Sequence, residues 1–287
     1  MTTTTLVTTT GWLPPRLRAA LDRISGDLKH ELSSLSTLDV LWVLYDQILR
    51  VHPDTADDPD RDRFLLSKGH GPAAYYAVLA AKGFVPVEWL DDFGGPDSRL
   101  GHHPDRTLIP GVEISSGSLG HGLPLAVGTV LGLRLRGEPT PAGARPRVYV
   151  LIGDAELDEG SNHEAIAYAG AVSRGSSIAS AGSQPRLEAG TAGAVSRGSS
   201  IASAGSQPRL TAGTAGVAGL AELTAIVIDN GSSTHGWPGG IAARFAVNGW
   251  TTATVSGRDH QQLAAALRGH DGVHPHVVVA VTESKES

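Results

Sequence analysis

Four short runs rich in β-branched residues follow one another in the second half of the chain, with helix-forming segments between them. The runs are residues 148–152, 223–228, 251–255 and 277–281. Apolar runs of this length that alternate with helices are typical of the buried strands of a parallel sheet. We therefore predict an α/β fold, with a doubly wound, mostly parallel sheet and flanking helices.

The N-terminal portion is predicted to be mainly helical. Apolar residues recur at helical spacing in residues 13–28, 37–51, 71–82 and 119–136, and a later helix is predicted at 261–268. Ser36 or Thr37 is the expected N-cap of the helix at 37–51, because a side-chain oxygen at that position can accept a main-chain N–H.

A tandem repeat interrupts this pattern. Residues 171–193 and 194–216 are two copies that differ only at Glu188 and Thr211. They consist mostly of Ser, Ala and Gly, and so bury too little apolar surface to offset the entropy lost on ordering. We predict one domain, residues 13–287, which is interrupted by a flexible insertion at 171–216 and preceded by a disordered tail at 1–12.

Charge and composition exclude several kinds of chemistry. The net charge of −6 argues against a nucleic-acid-binding surface. There is no cysteine, so any metal in this chain must be held by oxygen or imidazole rather than by thiolate. No apolar run is long enough for a transmembrane helix, and the first residues do not resemble a signal peptide. We therefore expect a cytoplasmic protein without membrane or nucleic-acid partners.

Oxygen-bearing side chains follow two of the predicted strands. The strand at 148–152 leads into Asp154, and the strand at 223–228 leads into Asn230. Ligands of open parallel sheets bind beyond the carboxyl ends of the strands, and a carboxylate with an amide suits Mg²⁺ or Ca²⁺. An acidic residue at such a turn can equally serve as a cap, so the pair by itself predicts either a cap or a metal site.

Five blocks of sequence occur in a fixed order, namely RFLLSKGHGPAAYYAVLAAKG (63–83), GHHPD (101–105), GVEISSGSLGHGLPLAVG (111–128), GDAELDEGSNHEA (153–165) and LTAIVIDN (223–230). Together they resemble the N-terminal, diphosphate-binding half of the transketolases, which are thiamine diphosphate enzymes, and SKGHG is the most specific block. Asp154 and Asn230 lie 76 positions apart, and removal of the 46 repeat residues reduces this spacing to 30. The family's span in this cofactor class is about thirty.

The resemblance implies roles for individual residues. The ligands of the Mg²⁺ or Ca²⁺ ion that bridges the cofactor diphosphate would be Asp154, Asn230 and the carbonyl of Ser232. The residues that line thiamine diphosphate would be Gly117, Ser118, Leu119, Gly153, Asp154, Ala155 and Asn230. The groups that serve catalysis would be His30, His70, His103, Glu159 and Glu164, with the two glutamates connecting the cofactor sites across a dimer.

The chain also departs from the family pattern. Ala155 replaces the second glycine of the family's GDG, and Ser118 stands where the family usually has proline. The stretch KHELS (29–33) keeps His30 but lacks the glycines of the family's GHPGG block. Nothing in the sequence resembles the pyrimidine-binding half of the enzyme.

The function implied by the resemblance is that of the N-terminal subunit of a split transketolase. Such a transferase passes a two-carbon ketol unit from a ketose to an acceptor, and its expected partner is a C-terminal, pyrimidine-binding subunit in an α2β2 heterotetramer. Two other interpretations remain open. One is a thiamine-dependent two-component enzyme that loads a two-carbon unit onto a carrier protein, and the other is a non-catalytic paralogue or scaffold subunit.

Overall fold

A computed structural model describes residues 12–24, 31–69, 72–137, 145–179 and 219–282. Its strands are β1 (Arg63–Leu66), β2 (Val148–Gly153), β3 (Leu223–Asp229), β4 (Thr251–Ser256) and β5 (His276–Val281). They form one sheet in the order β1-β2-β3-β5-β4, and every neighbouring pair is parallel.

Helices cover both faces of this sheet. Within the described ranges they are α1 (Pro15–Arg23), α2 (Glu31–Val43), α3 (Ala73–Ala81), α4 (Gly122–Leu135), α5 (Gly160–Ala179), α6 (Gly240–Ala246) and α7 (His260–Arg268). Helices α1, α2, α3 and α7 bury apolar side chains in a cluster on one face, and α4, α5 and α6 do so on the other. This arrangement confirms the predicted doubly wound α/β fold. None of these helices is both long and apolar enough to cross a bilayer.

The four predicted strands are confirmed as β2 to β5, but the sequence interpretation missed β1. Arg63 of β1 pairs with Val148, and Leu66 pairs with Leu151. A strand of four residues is too short to show a recognisable period, which is why the pattern did not predict it. Its pairing matters for the site, because it places Ser67 at the carboxyl edge of the sheet, where its N–H donates to the Leu151 carbonyl at 2.9 Å.

Strand β4 is not buried on both faces, contrary to the prediction for all four runs. It lies at the edge of the sheet, and its side chains alternate between half-buried and exposed. Ala253 and Val255 pack against the cluster that includes side chains of α7, whereas Thr252 and Thr254 are exposed. Such alternation is expected for a strand with one covered face.

Helix α2 begins earlier than predicted. It starts at Glu31, so Ser36 and Thr37 lie inside the helix and are buried instead of forming its N-cap. A hydroxyl inside a helix can bond to the main chain without ending the helix, which explains the error. The helix then passes into one π-helical turn, Leu44–Ile48. The other predicted helices are confirmed as α1, α3, α4 and α7, with small shifts of their ends except in α1, which ends at Arg23 rather than at residue 28.

Helix α5 continues into the tandem repeat. The predicted insertion begins at residue 171, but the helix runs on to Ala179, so the beginning of the first copy is helical rather than flexible. An established helix propagates readily through residues such as Ala and Ser, because extension adds a hydrogen bond for each residue fixed. Residues 180–216 lie outside the described residues. Gly170 allows α5 to pack closely, since an added Cβ there would collide with the Asn248 carbonyl.

The end of the predicted N-terminal tail is packed. Residues 1–11 lie outside the described residues, but the ring centroid of Trp12 is 4.0 Å from that of His260 and 6.3 Å from that of Trp42. Trp12 therefore joins α2 and α7 on one face of the sheet, and the predicted boundary of the tail was wrong at this residue. Aromatic contacts of this kind add to the stability gained from burial.

Candidate functional site

Two buried side chains follow neighbouring strands at the carboxyl edge of the sheet. Asp154 comes directly after β2 and Asn230 directly after β3, and they are 1% and 2% exposed. The Asp154 N–H donates to the Ile228 carbonyl at 3.0 Å, and Gly153 pairs with Ile228 in the sheet. The parallel pairing of β2 with β3 therefore brings together the two side chains that the sequence predicted as metal ligands.

The Asp154 carboxylate organises the loop that follows β3. Its Oδ2 accepts the N–H of Ser232 at 2.7 Å and that of Ser233 at 3.2 Å. Its Oδ1 accepts the Ala155 N–H at 2.8 Å and the Ser232 hydroxyl. Asp154 is thus a cap, as one of the two sequence interpretations predicted. It is also compatible with a metal, because the Ser232 hydroxyl can rotate away from Oδ1 without any main-chain movement.

The amide of Asn230 has a different environment. Neither its Oδ1 nor its Nδ2 has a hydrogen-bond partner among the described residues, although both atoms are buried. A buried polar group left unpaired costs about 1–3 kcal/mol. An amide oxygen beside a carboxylate is a donor set that a hard cation such as Mg²⁺ accepts. The residues present therefore fit a divalent cation, with Asn230 Oδ1 as a ligand that is already free.

The candidate metal ligands are not a cluster of acidic side chains. The described part of the chain contains no group of three or more His, Cys, Asp or Glu side chains placed to hold a metal ion. The set proposed by sequence has one carboxylate, one side-chain amide and the main-chain carbonyl of Ser232. Such a set leaves several coordination positions for ligand oxygens, which is how Mg²⁺ is usually bound together with phosphates.

Glycines let three predicted site segments meet. An added Cβ at Gly69, in the SKGHG block, would lie 2.5 Å from the Gly117 nitrogen. An added Cβ at Gly117, whose φ is +129°, would lie 2.8 Å from the His103 ring. Only glycine permits both approaches and this backbone conformation. The structure thus brings His103 against the predicted cofactor loop, whereas His70 lies outside the described residues.

A buried carboxylate that the sequence interpretation did not single out joins these segments. Glu156 is 2% exposed and accepts the Ser67 hydroxyl, the Gly120 N–H at 3.0 Å and the Gly153 N–H at 3.4 Å. Ser67 Oγ in turn accepts the Gly122 N–H at 2.9 Å. One side chain therefore ties the ends of β1 and β2 to the segment that leads into α4.

The hydrogen bonds to Glu156 come from distant parts of the chain. Ser67 is 89 positions away and Gly120 is 36 positions away. Burial raises the pKa of Glu156, and the hydrogen bonds from Ser67, Gly120 and Gly153 act against this rise. No local pattern in GDAELDEG distinguishes this inward-facing glutamate from exposed Glu159, which is why sequence reasoning missed it.

A second carboxylate holds the same loop as Asp154. Asp158 Oδ1 accepts the Ser233 hydroxyl at 3.1 Å, its Oδ2 accepts the Thr234 N–H at 3.3 Å, and His235 Nδ1 lies 3.0 Å from Oδ2. Burial by itself would raise the pKa of Asp158, but the hydrogen bonds from His235, Ser233 and Thr234 outweigh it and lower that pKa. The loop that carries Ser232 is therefore anchored at two carboxylates.

The remaining predicted site residues lie at the surface or outside the described residues. Glu159, Glu164 and Ser118 are exposed, and Leu119 is 45% exposed. Exposure is compatible both with a solvated surface and with contact to another subunit, so their predicted roles stay predictions. Ala155 is half-buried between Asp154 and Glu156. His30 lies outside the described residues.

The class of protein follows from the fold, the paired strand ends and the sequence blocks together. Residues 20–181 match the family described as transketolase, thiamine diphosphate binding domain. The match covers more than half of the chain, and the chain belongs to this family. The resemblance stated from the sequence is thereby confirmed.

Three curated relatives illustrate the range of similarity. The chain is 48% identical over 264 residues to "Ferredoxin fas2" of Rhodococcoides fascians, which covers 92% of this chain and 70% of that protein. It is 42% identical over 136 residues to an apulose-4-phosphate transketolase subunit of Actinobacillus succinogenes, 47% of each chain. It is 40% identical over 141 residues to "6-deoxy-6-sulfo-D-fructose transketolase subunit SqwG" of a Clostridium species, 49% of each chain. The chain thus matches about half the length of these two transketolase subunits.

Solved transketolases share the fold. The transketolase of Leishmania mexicana superposes with a TM-score of 0.63 at 22% identity, covering 94% of this chain and 37% of that chain. The transketolase of Campylobacter jejuni gives a TM-score of 0.64 at 20% identity, covering 94% and 38%. At such identities the likeness shows the fold alone, and this chain corresponds to little more than a third of each enzyme.

Proposed function

We propose that this chain is the diphosphate-binding subunit of a two-component transketolase. In this proposal Asp154, Asn230 and the Ser232 carbonyl hold the Mg²⁺ or Ca²⁺ ion of thiamine diphosphate. The observation that carries the proposal is the buried, unpaired amide of Asn230 next to the Asp154 strand end. Both polar atoms of this amide lack a partner among the described residues, which costs stability, whereas a cation ligand must be free before the cation binds.

The chain's own residues would position the cofactor and handle protons. When bound, thiamine diphosphate supplies the electron sink that allows the C2–C3 bond of a ketose to break and the two-carbon unit to be passed on. Gly117 and Gly153 would let the main chain approach the cofactor closely. The His103 imidazole, packed against Gly117, would hydrogen-bond a sugar hydroxyl and hold or pass its proton.

A second polypeptide is part of the proposal. Two of the relatives are named as transketolase subunits, and this chain matches about half of each. The substrates in those names are a phosphorylated and a sulfonated sugar, and we propose a ketose donor for this chain as well. The partner would supply the pyrimidine-binding half, and Glu159 and Glu164 would connect cofactor sites in an α2β2 assembly.

Turnover should therefore require the partner. The isolated chain, supplied with Mg²⁺, thiamine diphosphate, a ketose and an aldose, is expected to form no transferred product. Addition of a polypeptide that matches the C-terminal half of transketolases should produce ketol transfer, because both ends of the cofactor are then held. Mass spectrometry of the products, with an aldose and a carrier protein offered in parallel, measures both the activity and the acceptor class.

The matched control is the same mixture with Asn230→Ala in this chain, which should remain inactive. If the isolated wild-type chain turned over substrate as fast as the mixture of the two polypeptides, the two-component proposal would be contradicted. Activity of the mixture that is indifferent to Asn230→Ala would contradict the assignment of the metal site.

A further inference from the structure

Arg244 is a half-buried cation for which the described residues supply no carboxylate. It lies on α6, and no salt bridge within the described ranges includes it. Half-buried Arg258 is different, since its Nη1 lies 2.7 Å from Asp39. Burial lowers the pKa of Arg244, as expected of a guanidinium that is desolvated without a compensating charge. Because the attraction between opposite charges strengthens as solvent is removed, a guanidinium of this kind gains more from a bound anion than a fully solvated one does.

The Arg244 side chain is held in one orientation. Its guanidinium carbon lies 3.7 Å from the centroid of the Trp237 ring, and its Nη2 contacts His163 Nδ1. His163 Nε2 is 2.8 Å from the Leu157 carbonyl. A carbonyl can only accept, so the ring proton is on Nε2 and Nδ1 accepts from Arg244. A guanidinium fixed in this way loses little further entropy when it binds a ligand.

Trp237 adds a second donor with nothing to bind. Its indole Nε1 is buried and has no hydrogen-bond partner among the described residues. An indole N–H is a donor only, and a guanidinium has five N–H donors and no acceptor. Trp237 and Arg244 together therefore offer N–H donors and positive charge. Planar guanidinium groups match the oxygens of phosphate-like anions with two parallel hydrogen bonds.

We propose that Arg244 and Trp237 form a binding site for a small tetrahedral oxyanion such as inorganic phosphate, and that His163 positions Arg244 for it. These residues are distinct from Asp154, Asn230 and Ser232, so the site would not be the diphosphate site. Trp237 belongs to the loop that Asp154 and Asp158 anchor near its start. An anion bound to Trp237 would anchor the other end of that loop before α6 begins.

Binding of phosphate to the full chain tests this directly, without thiamine diphosphate or Mg²⁺. Calorimetric titration with phosphate should show one saturable site. Arg244→Gln should lower the affinity for phosphate at least tenfold, because it removes the positive charge and the paired N–H donors of the guanidinium. The matched control is Arg268→Gln on α7, where the wild-type side chain donates to the Gln47 carbonyl at 2.9 Å. This control should bind phosphate as the wild type does.

Further experiments distinguish between the possible binding sites and between the possible ligands. Asn230→Ala should leave phosphate binding unchanged, and sulfate should bind as phosphate does, whereas acetate, with one charge and two oxygens, should bind more weakly. Hydrogen exchange of the amides in 232–239 should slow severalfold with phosphate in the wild type but not in Arg244→Gln. If Arg244→Gln does not fold, Trp237→Phe, which lacks the indole donor, should weaken phosphate binding severalfold.

Phosphate binding that is unchanged in Arg244→Gln would overturn the proposal. If Arg244→Gln does not fold, unchanged binding in Trp237→Phe would overturn it instead. Loss of binding in Asn230→Ala, with retention in the Arg244 variant, would assign the anion to the diphosphate site and overturn it too. Binding of acetate in preference to phosphate and sulfate would contradict the tetrahedral specificity. The absence of any saturable phosphate site in the wild type would also overturn the proposal.

Discussion

Asn230→Ala is expected to separate cofactor binding from stability. In the two-component complex it should weaken Mg²⁺-dependent binding of thiamine diphosphate by at least about 100-fold, since loss of groups outside the ligand set already costs 10–100-fold at metal sites. The free energy of unfolding should change by no more than about 1 kcal/mol, because removal of an unpaired buried amide offsets the small cavity it leaves. Calorimetry and chemical denaturation measure the two effects.

The matched control is a buried amide whose Nδ2 has a partner, although its Oδ1, like that of Asn230, has none among the described residues. Asn162 is 0% exposed, and its Nδ2 donates to the Glu156 carbonyl at 2.7 Å. Asn162→Ala should therefore destabilise the chain by about 1–3 kcal/mol while lowering cofactor affinity much less than Asn230→Ala does. A folded Asn230→Ala variant with wild-type affinity would contradict the metal assignment.

Glu156→Ala should cause the largest loss of stability of the variants considered. It removes the acceptor for the Ser67 hydroxyl and for the Gly120 and Gly153 N–H groups. Each buried donor left unpaired costs about 1–3 kcal/mol, so we expect a decrease of about 3 kcal/mol or more in the free energy of unfolding. Urea denaturation followed by circular dichroism measures this decrease.

Two control variants are expected to lose less stability than Glu156→Ala. Glu156→Gln keeps one acceptor oxygen and should cost about 1 kcal/mol, because some of the donors remain paired. Glu164→Ala removes a glutamate from the outer side of α5 and should change stability by less than about 0.5 kcal/mol. A Glu156→Ala variant as stable as Glu164→Ala would show that the buried hydrogen bonds do not hold these segments together.

The periodic parts of the fold could be predicted from the sequence. Strands β2, β3 and β5 are buried on both faces, so their continuous apolar runs were informative, and helices on both faces follow from the alternation. Strand β1 was too short to carry such a signal. The start of α2 was missed because Ser36 and Thr37 are common both at caps and, when buried, within helices.

The site was predictable to the extent that strand ends determine it. Asp154 and Asn230 follow adjacent parallel strands, so their proximity could be inferred once the repeat was set aside. Glu156 could not be inferred, because its donors Ser67 and Gly120 come from segments that meet it only in the folded chain. The same holds for Arg244, whose missing counter-charge is visible only when the surrounding side chains are placed.

The measurement that tests the metal site most directly is the position of a Mn²⁺ ion in crystals of the two-component complex grown with thiamine diphosphate. Its anomalous signal locates the ion without reference to a refined cofactor. We expect a peak within about 2.0–2.6 Å of an Asp154 carboxylate oxygen, Asn230 Oδ1 and the Ser232 carbonyl oxygen. Bound cofactor with the peak elsewhere, or with no contact to Asn230, would contradict it.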